Sequence, residues 1–245
     1  MKPTIYAHRG ASSYAPENTM AAFQLADQMQ AEGIETDVQL TKDQIPVLIH
    51  DEHVKRTTNS IGYIKDFTYR ELCQLDAGNW FSPKFTGTPI PTLEEFLTWI
   101  KPKPLYLNIE LKNNKVEYNH MEAIVYEYLS THQLMNRTTI STFNANSVVR
   151  LAAYKETAEI AFLTSRRYRH PVHVAKELGA NALHLKYKRV TPKIVAAANK
   201  HKMKLRLYTI NRPAHLIRSI QYGVDGIFTD VPDQALYYRN LLYNR

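Results

Sequence analysis

The sequence predicts an α/β fold, a parallel (β/α)8 TIM barrel with a small insertion after the second strand, and three observations predict it. Short β-branched or apolar runs alternate with stretches of helical periodicity, the runs number eight, and 245 residues is the usual size of one such barrel. Strict alternation through eight repeats favours closure over an open sheet.

The elements follow in order. Candidate strands are 4–7, 34–40, 105–111, 138–142, 159–163, 182–185, 204–209 and 226–229. Between them, residues 19–31, 93–100, 118–132, 147–154, 171–178, 192–200, 214–222 and 232–242 carry helix periodicity. Asn18 is placed to cap the first helix, Thr92 with Glu95 reads as a capping box, and Pro192 and Pro232 suit first-turn positions. Residues 52–91 break the rhythm, being too long for one βα loop and rich in Thr, Asn, Gly, Pro and aromatics. They read as an inserted subdomain over the barrel mouth. With no low-complexity tract and no Gly/Ser linker, residues 1–245 read as one domain.

The single Cys73 excludes an intramolecular disulfide framework and reads as a half-buried structural thiol on a helix. Met1-Lys2-Pro3 runs straight into the first strand, leaving no room for a secretion signal, so a cytoplasmic location is expected. No apolar run nears the roughly 18 residues that span a bilayer, so membrane contact would be peripheral. The formal charge of +8 permits an anionic partner. Its clusters, at 165–170, 186–189 and 200–204, read chiefly as solvated helix ends and loops, and the sixteen tyrosines are not interleaved with them. Nucleic acid is therefore not expected as a partner.

The chemistry concentrates near the start: His8-Arg9-Gly10, Pro16-Glu17-Asn18-Thr19, Glu35-Thr36-Asp37 and His50-Asp51, joined later by Asn108-Ile109-Glu110-Leu111-Lys112. Residues two apart on a strand share a face, so Glu35 points with Asp37, and Glu110 with Lys112. Catalytic groups of barrels gather at the carboxyl ends of the strands, where His8, Arg9 and His50 would meet them. Three carboxylates without Cys or a metal-spaced His pair are hard oxygen ligands, favouring one divalent Mg²⁺ or Ca²⁺. His8 and His50 each close a short apolar run, and two imidazoles flanking a phosphate suit general acid–base work. Arg9 suits a phosphoryl oxygen or an ion pair with Glu17, and Lys112 suits developing phosphate charge or a pair with Glu110.

The other histidines, His53, His120, His132, His170, His173, His201 and His215, read as packing or surface residues. His184 would face the same mouth, although a satisfied barrel-end histidine is the better reading. Tyr208 and Asn211 close the seventh strand, where the aromatic can pack on substrate carbons. Asp225 and Asp230 read as loop and cap residues.

These motifs, with Pro91-Thr92-Leu93-Glu94-Glu95 and the run 223–232 (Gly-Val-Asp-Gly-Ile-Phe-Thr-Asp-Val-Pro), resemble the glycerophosphodiester phosphodiesterase family over nearly the whole chain. The resemblance implies a barrel with an insertion after the second strand and hydrolysis of glycerophosphodiesters to glycerol 3-phosphate and an alcohol. It implies Glu35, Asp37 and Glu110 as metal ligands, His8 and His50 as acid and base, and Arg9 and Lys112 as phosphate contacts. One departure is Tyr208-Thr209-Ile210-Asn211, where many members have Trp-Thr-Val-Asn, so a smaller aromatic would line the glycerol side. A first step through the neighbouring glycerol hydroxyl, giving a cyclic phosphate, is one route open to such an enzyme. Two other readings stand beside hydrolysis of small glycerophosphodiesters. One is lysophospholipid headgroup cleavage, with Trp80, Phe81 and Phe85 offering an apolar groove to an acyl chain; the other is a phosphodiester-binding module without turnover.

Overall fold

The computed structural model describes residues 2–243. Among the described residues nine strands form, β1 (Thr4–His8), β2 (Gly33–Leu40), β3 (Pro46–Leu48), β4 (Tyr106–Leu111), β5 (Thr138–Thr142), β6 (Glu159–Thr164), β7 (Ala182–Lys186), β8 (Lys204–Tyr208) and β9 (Gly226–Thr229). All but β3 pair in parallel in the order β1-β2-β4-β5-β6-β7-β8-β9, and β9 returns to β1 with Ile5 opposite Ile227. The ring is the closed eight-stranded barrel expected, with helices around it.

The strand β3 is the element absent from the eight expected. It runs antiparallel to the second half of β2, Val38 opposite Leu48 and Leu40 opposite Pro46, whereas β1 pairs only with the first half, ending at His8 opposite Glu35. Past Glu35, therefore, β3 takes over the edge that β1 leaves. The Ile49 amide donates to the Asp37 carbonyl at 3.0 Å, which delivers His50 to the carboxyl end of β2.

The helices are α1 (Met20–Gln28), α2 (Tyr69–Leu72), α3 (Leu93–Ile100), α4 (Met121–Thr131), α5 (Ala145–Leu151), α6 (Pro171–Glu177), α7 (Pro192–Lys200), α8 (Pro213–Gln221) and α9 (Pro232–Tyr243). The Thr92–Glu95 capping box forms at the start of α3, the Glu95 carboxylate accepting from the Thr92 amide at 2.7 Å. At α1 the expected cap is corrected: Thr19, not Asn18, accepts from the Ala22 amide. Asn18 sits in the left-handed region at φ 56° and turns inward instead. Phe23 and Phe96, both fully buried with ring centroids 4.6 Å apart, lock α1 to α3. Truncating either ring would cost about 3–5 kcal/mol.

Residues 52–91 hold single 3-10 turns and α2 around a small apolar cluster of their own, Val54, Ile64, Leu72, Ala77 and Ile90 with Val47 and Ile49 of the β3 segment. Arg56 ties this segment to the mouth, donating to Glu17 at 2.7 and 2.8 Å and to Asp51 at 2.7 Å. Trp80, Phe81 and Phe85 pack on one another edge to face, and none of them lines the central cavity. Cys73 follows α2, half-buried as expected, its thiol 3.2 Å from the Arg70 carbonyl oxygen. Among the described residues no helix is long and apolar enough to cross a membrane.

Candidate active site

At the carboxyl end of the barrel lies a cavity of about 370 Å³ lined by His8, Arg9, Glu35, His50, Asn108, Glu110 and Tyr208 among others. Asp37 and Lys112 lie buried beside it, in contact with the lining residues Arg9 and Glu110. Register explains the convergence, since β2 and β4 run in parallel with Glu35 opposite Asn108 and Asp37 opposite Glu110. Glu35, Asp37 and Glu110 each offer an oxygen within 4.8 Å of the others. The eight residues singled out from the sequence thus meet in one place.

The turn after β1 sets Arg9. Its backbone is left-handed at φ 56°, Gly10 follows at φ 81°, and the Arg9 amide donates to Glu35 at 2.9 Å. A Cβ on Gly10 would stand 2.6 Å from the Ala22 backbone, so only glycine lets α1 approach this turn. The guanidinium donates to Glu17 at 2.9 Å and lies 3.1 Å from Asp37. The ion pair with Glu17 is therefore present, and it aims Arg9 across the carboxylate cluster. Lys112 donates to Glu110 at 2.7 Å and lies 3.7 Å from Asp37.

Burial and these charges divide the carboxylates. Burial, reinforced by Asp37, pushes Glu35 up to about 8 against the pull of His8. Burial acts the same way on Asp37, but Arg9 and Lys112 outweigh it and hold this carboxyl well below the usual range. Asn18 adds to this, its amide donating to Asp37 at 2.9 Å while its carbonyl accepts from Thr36 at 2.8 Å. The second Asp37 oxygen is buried without a hydrogen bond.

Each histidine is fixed from behind. His8 Nδ1 lies 2.6 Å from Asp230, and His50 Nδ1 lies 2.7 Å from Asp51. A carboxylate only accepts, so both Nδ1 atoms carry the proton and Nε2 is left to face the cavity. For His8, burial and Arg9 depress the pKa, yet Glu35 and Asp230 prevail and the net shift is upward. Asp230 is held down to about 2, burial being overcome by His8, Asn211 and Ser12; Asp51 likewise sits near 2, through Arg56 and His50.

Asp230 corrects the reading of this residue as a helix cap. It accepts from Ser12 at 3.0 Å and from Asn211 at 2.5 Å, and it belongs to the His8 support. Asp225 is the loop residue expected, accepting from the Leu205 amide at 2.8 Å. His184 is a structural barrel histidine, the better of its two readings: it is fully buried inside the barrel, against Phe228 at 5.0 Å and Arg206 at 3.2 Å, and does not line the cavity. Burial and Arg206 hold it neutral, far below the ordinary histidine pKa.

Tyr208 closes one wall, its ring edge to face with Phe143 at 5.9 Å and its buried hydroxyl without a partner. Phe143, Lys186 and Tyr187 also line the cavity; Lys186 and Tyr187 belong to the basic cluster 186–189, while Phe143 carries no sequence signal beyond its place after a strand end. The arrangement offers three hard carboxylates, two cations and two imidazoles around a space the size of a small phosphodiester.

Comparison with known proteins places this geometry in context. The model of the glycerophosphoryl diester phosphodiesterase family matches residues 8–234. A protein of Caldanaerobacter subterraneus subsp. tengcongensis named glycerophosphodiester phosphodiesterase is 41% identical over 236 residues, 96% of this chain and 97% of its own length. The solved structure of an Oleispira antarctica phosphodiesterase in complex with the product sn-glycerol-3-phosphate superposes with a TM-score of 0.88 at 30% identity, covering 96% of each chain. A Silicibacter pomeroyi structure reaches a TM-score of 0.90 at 23% identity over 98% of this chain and 94% of that one, a likeness of fold. The chain belongs to the glycerophosphoryl diester phosphodiesterase family.

Proposed function

We propose that this chain hydrolyses glycerophosphodiesters to glycerol 3-phosphate and an alcohol, using one divalent metal held by Glu35, Asp37 and Glu110 and a proton-transferring pair, His8 and His50. The observation that carries the reading is the pair of Nδ1-anchored imidazoles beside the carboxylate cluster in one cavity. Membership of the family and the product complex of the Oleispira relative support the reaction class.

The donor set fits a hard cation: three oxygens within 4.8 Å and one buried Asp37 oxygen with no hydrogen bond. When bound, Mg²⁺ or Ca²⁺ supplies Lewis-acid stabilisation of phosphate charge. Arg9 and Lys112, both held firmly protonated by the carboxylates around them, bind the remaining phosphoryl oxygens and neutralise charge that grows in the transition state. One histidine takes a proton at Nε2 from the neighbouring glycerol hydroxyl as its oxygen bonds to phosphorus, and the other delivers one to the alcohol oxygen as its bond to phosphorus breaks; water then opens the cyclic phosphate to glycerol 3-phosphate with the two proton transfers reversed. Tyr208 and Phe143 supply the apolar wall for glycerol carbons. Because Trp80, Phe81 and Phe85 stay off the cavity, small deacylated diesters are favoured over lysophospholipids.

The test is product identity. Glycerophosphocholine should yield glycerol 3-phosphate and choline in equal amounts, and His8→Ala or His50→Ala should lower the rate by about 10²–10⁴-fold. Release of phosphocholine, or full activity in either variant, would overturn the assignment.

A further inference from the structure

The charge of the chain is concentrated on one side of the barrel. Residues 160–224, from the second residue of β6 to the loop after α8 and flanked by Glu159 and Asp225, contain fourteen Lys and Arg and one acid, Glu177. The whole chain has 31 and 23, so the remainder carries 17 basic and 22 acidic residues and is net acidic. The basic clusters 165–170, 186–189 and 200–204 lie on largely exposed loops and element ends, as expected. Two of them, on the loops after β6 and β7, face one another across a groove of about 750 Å³.

Arg166, Arg167, Arg169, Lys188, Arg189 and Lys193 line that groove, all are exposed, and no carboxylate lines it. Among the described residues none of the six makes an ion pair; Arg189 donates to the Ser165 carbonyl and Lys188 lies over the Tyr187 ring. Like charges gathered without counter-charge raise one another's energy and attract an anion strongly. The dominance of arginine, with its planar fork, matches phosphate. The groove and the cavity draw on the same segment: Leu185 lines the groove, while the next residues, Lys186 and Tyr187, line the cavity.

Resting on the hydrolytic reading above, we infer that the groove is a subsite for a phosphate carried by the alcohol half of the substrate. The substrate class is then glycerophosphodiesters whose leaving alcohol bears at least one further phosphate. The scissile phosphate sits among Arg9, Lys112 and the carboxylate cluster, and the additional phosphate extends past Lys186 and Tyr187 onto the six cations. An anionic membrane would also attract these charges, but residues 160–224 expose no large hydrophobic side chain to enter the acyl layer. A concave groove likewise suits a discrete phosphate better than a flat surface.

The test compares glycerophosphoinositol 4,5-bisphosphate with glycerophosphoinositol, which differ only in phosphates on the alcohol. Equilibrium binding and kcat/KM are measured for both diesters at low and high salt. The wild-type chain should favour the phosphorylated diester by about tenfold or more at low salt, with the preference collapsing at high salt. The triple variant Arg166→Ser, Arg167→Ser, Lys188→Ser, altered only at exposed positions, should bring the binding ratio close to one. Equal binding of the two diesters by the wild-type chain would overturn the proposal, as would a preference that survives in the triple variant. Sedimentation with phosphatidylglycerol vesicles, lost in the triple variant and accompanied by equal binding of the two diesters, would assign the groove to a membrane instead. Hydrolysis of glycerophosphoinositol reports separately on the underlying reaction, because the binding ratio needs no turnover.

Discussion

His8 meets the cavity with Nδ1 already bonded to Asp230, so one nitrogen and one tautomer remain for chemistry. Replacing Asp230 by Asn keeps the shape and removes the charge. We expect kcat/KM to fall by about 10²-fold, and the His8 ring titration followed by NMR to move to lower pH, since a carboxylate that stabilised imidazolium is gone. An unmoved titration would separate Asp230 from the acid–base pair. In the sequence Asp230 stands just before Val231-Pro232 at a helix start and has the look of a cap. Only the pairing of β9 with β1 brings it to a residue 222 positions away. Asn18 departs from its sequence reading for the same reason: its helix-start position is visible locally, while its bond to Asp37 depends on the barrel. By contrast, the spacing Glu35-Thr36-Asp37 and Glu110-Leu111-Lys112 displays a shared strand face directly, which is why the carboxylate cluster is legible from residues alone.

Elements differ in how closely they are bound to the site. Gly10→Ala places a Cβ 2.6 Å from the Ala22 backbone at a φ of 81°, so it should cost about 1–3 kcal/mol in thermal or urea denaturation and also displace Arg9. Thr92→Ala removes a cap at the start of α3, away from the cavity, and should cost about 1 kcal/mol while leaving kcat/KM unchanged. Equal losses of activity in the two variants would contradict this division. The alternation of strand and helix is plain in the sequence because each run keeps one period long enough to read. The strand β3 escapes that reading: three residues have no period, and their pairing exists because β1 ends at His8, opposite Glu35, and leaves the rest of the β2 edge open. The same short strand delivers His50 to the mouth, so a minor element of the fold is a major one for the site.

For the molecule as a whole, the carboxylate cluster is a source of instability that the proposed cation would relieve. An unfolded glutamate loses its proton near pH 4.3, whereas burial and Asp37 keep Glu35 protonated up to about 8. Across that window the folded metal-free chain binds more protons, so its stability falls as pH rises from about 4.3 to about 8. On the proposed ligand assignment a divalent cation would displace this proton, and the rise in Tm on adding Mg²⁺ or Ca²⁺ should be larger near the top of that window than at its centre. Glu35→Gln should remove most of the difference; a metal-induced rise independent of pH would contradict the ligand assignment. The charge division between a basic flank and a net acidic remainder belongs to this scale too, and totals taken over the whole chain conceal it.

The central claim, a metal-dependent phosphodiesterase built on Glu35, Asp37 and Glu110, is tested most directly by glycerol 3-phosphate release from glycerophosphocholine after treatment with EDTA. The account predicts that release stops on chelation and returns on adding back Mg²⁺ or Ca²⁺, with no return in Glu110→Gln. Release that continues undiminished in EDTA would contradict it.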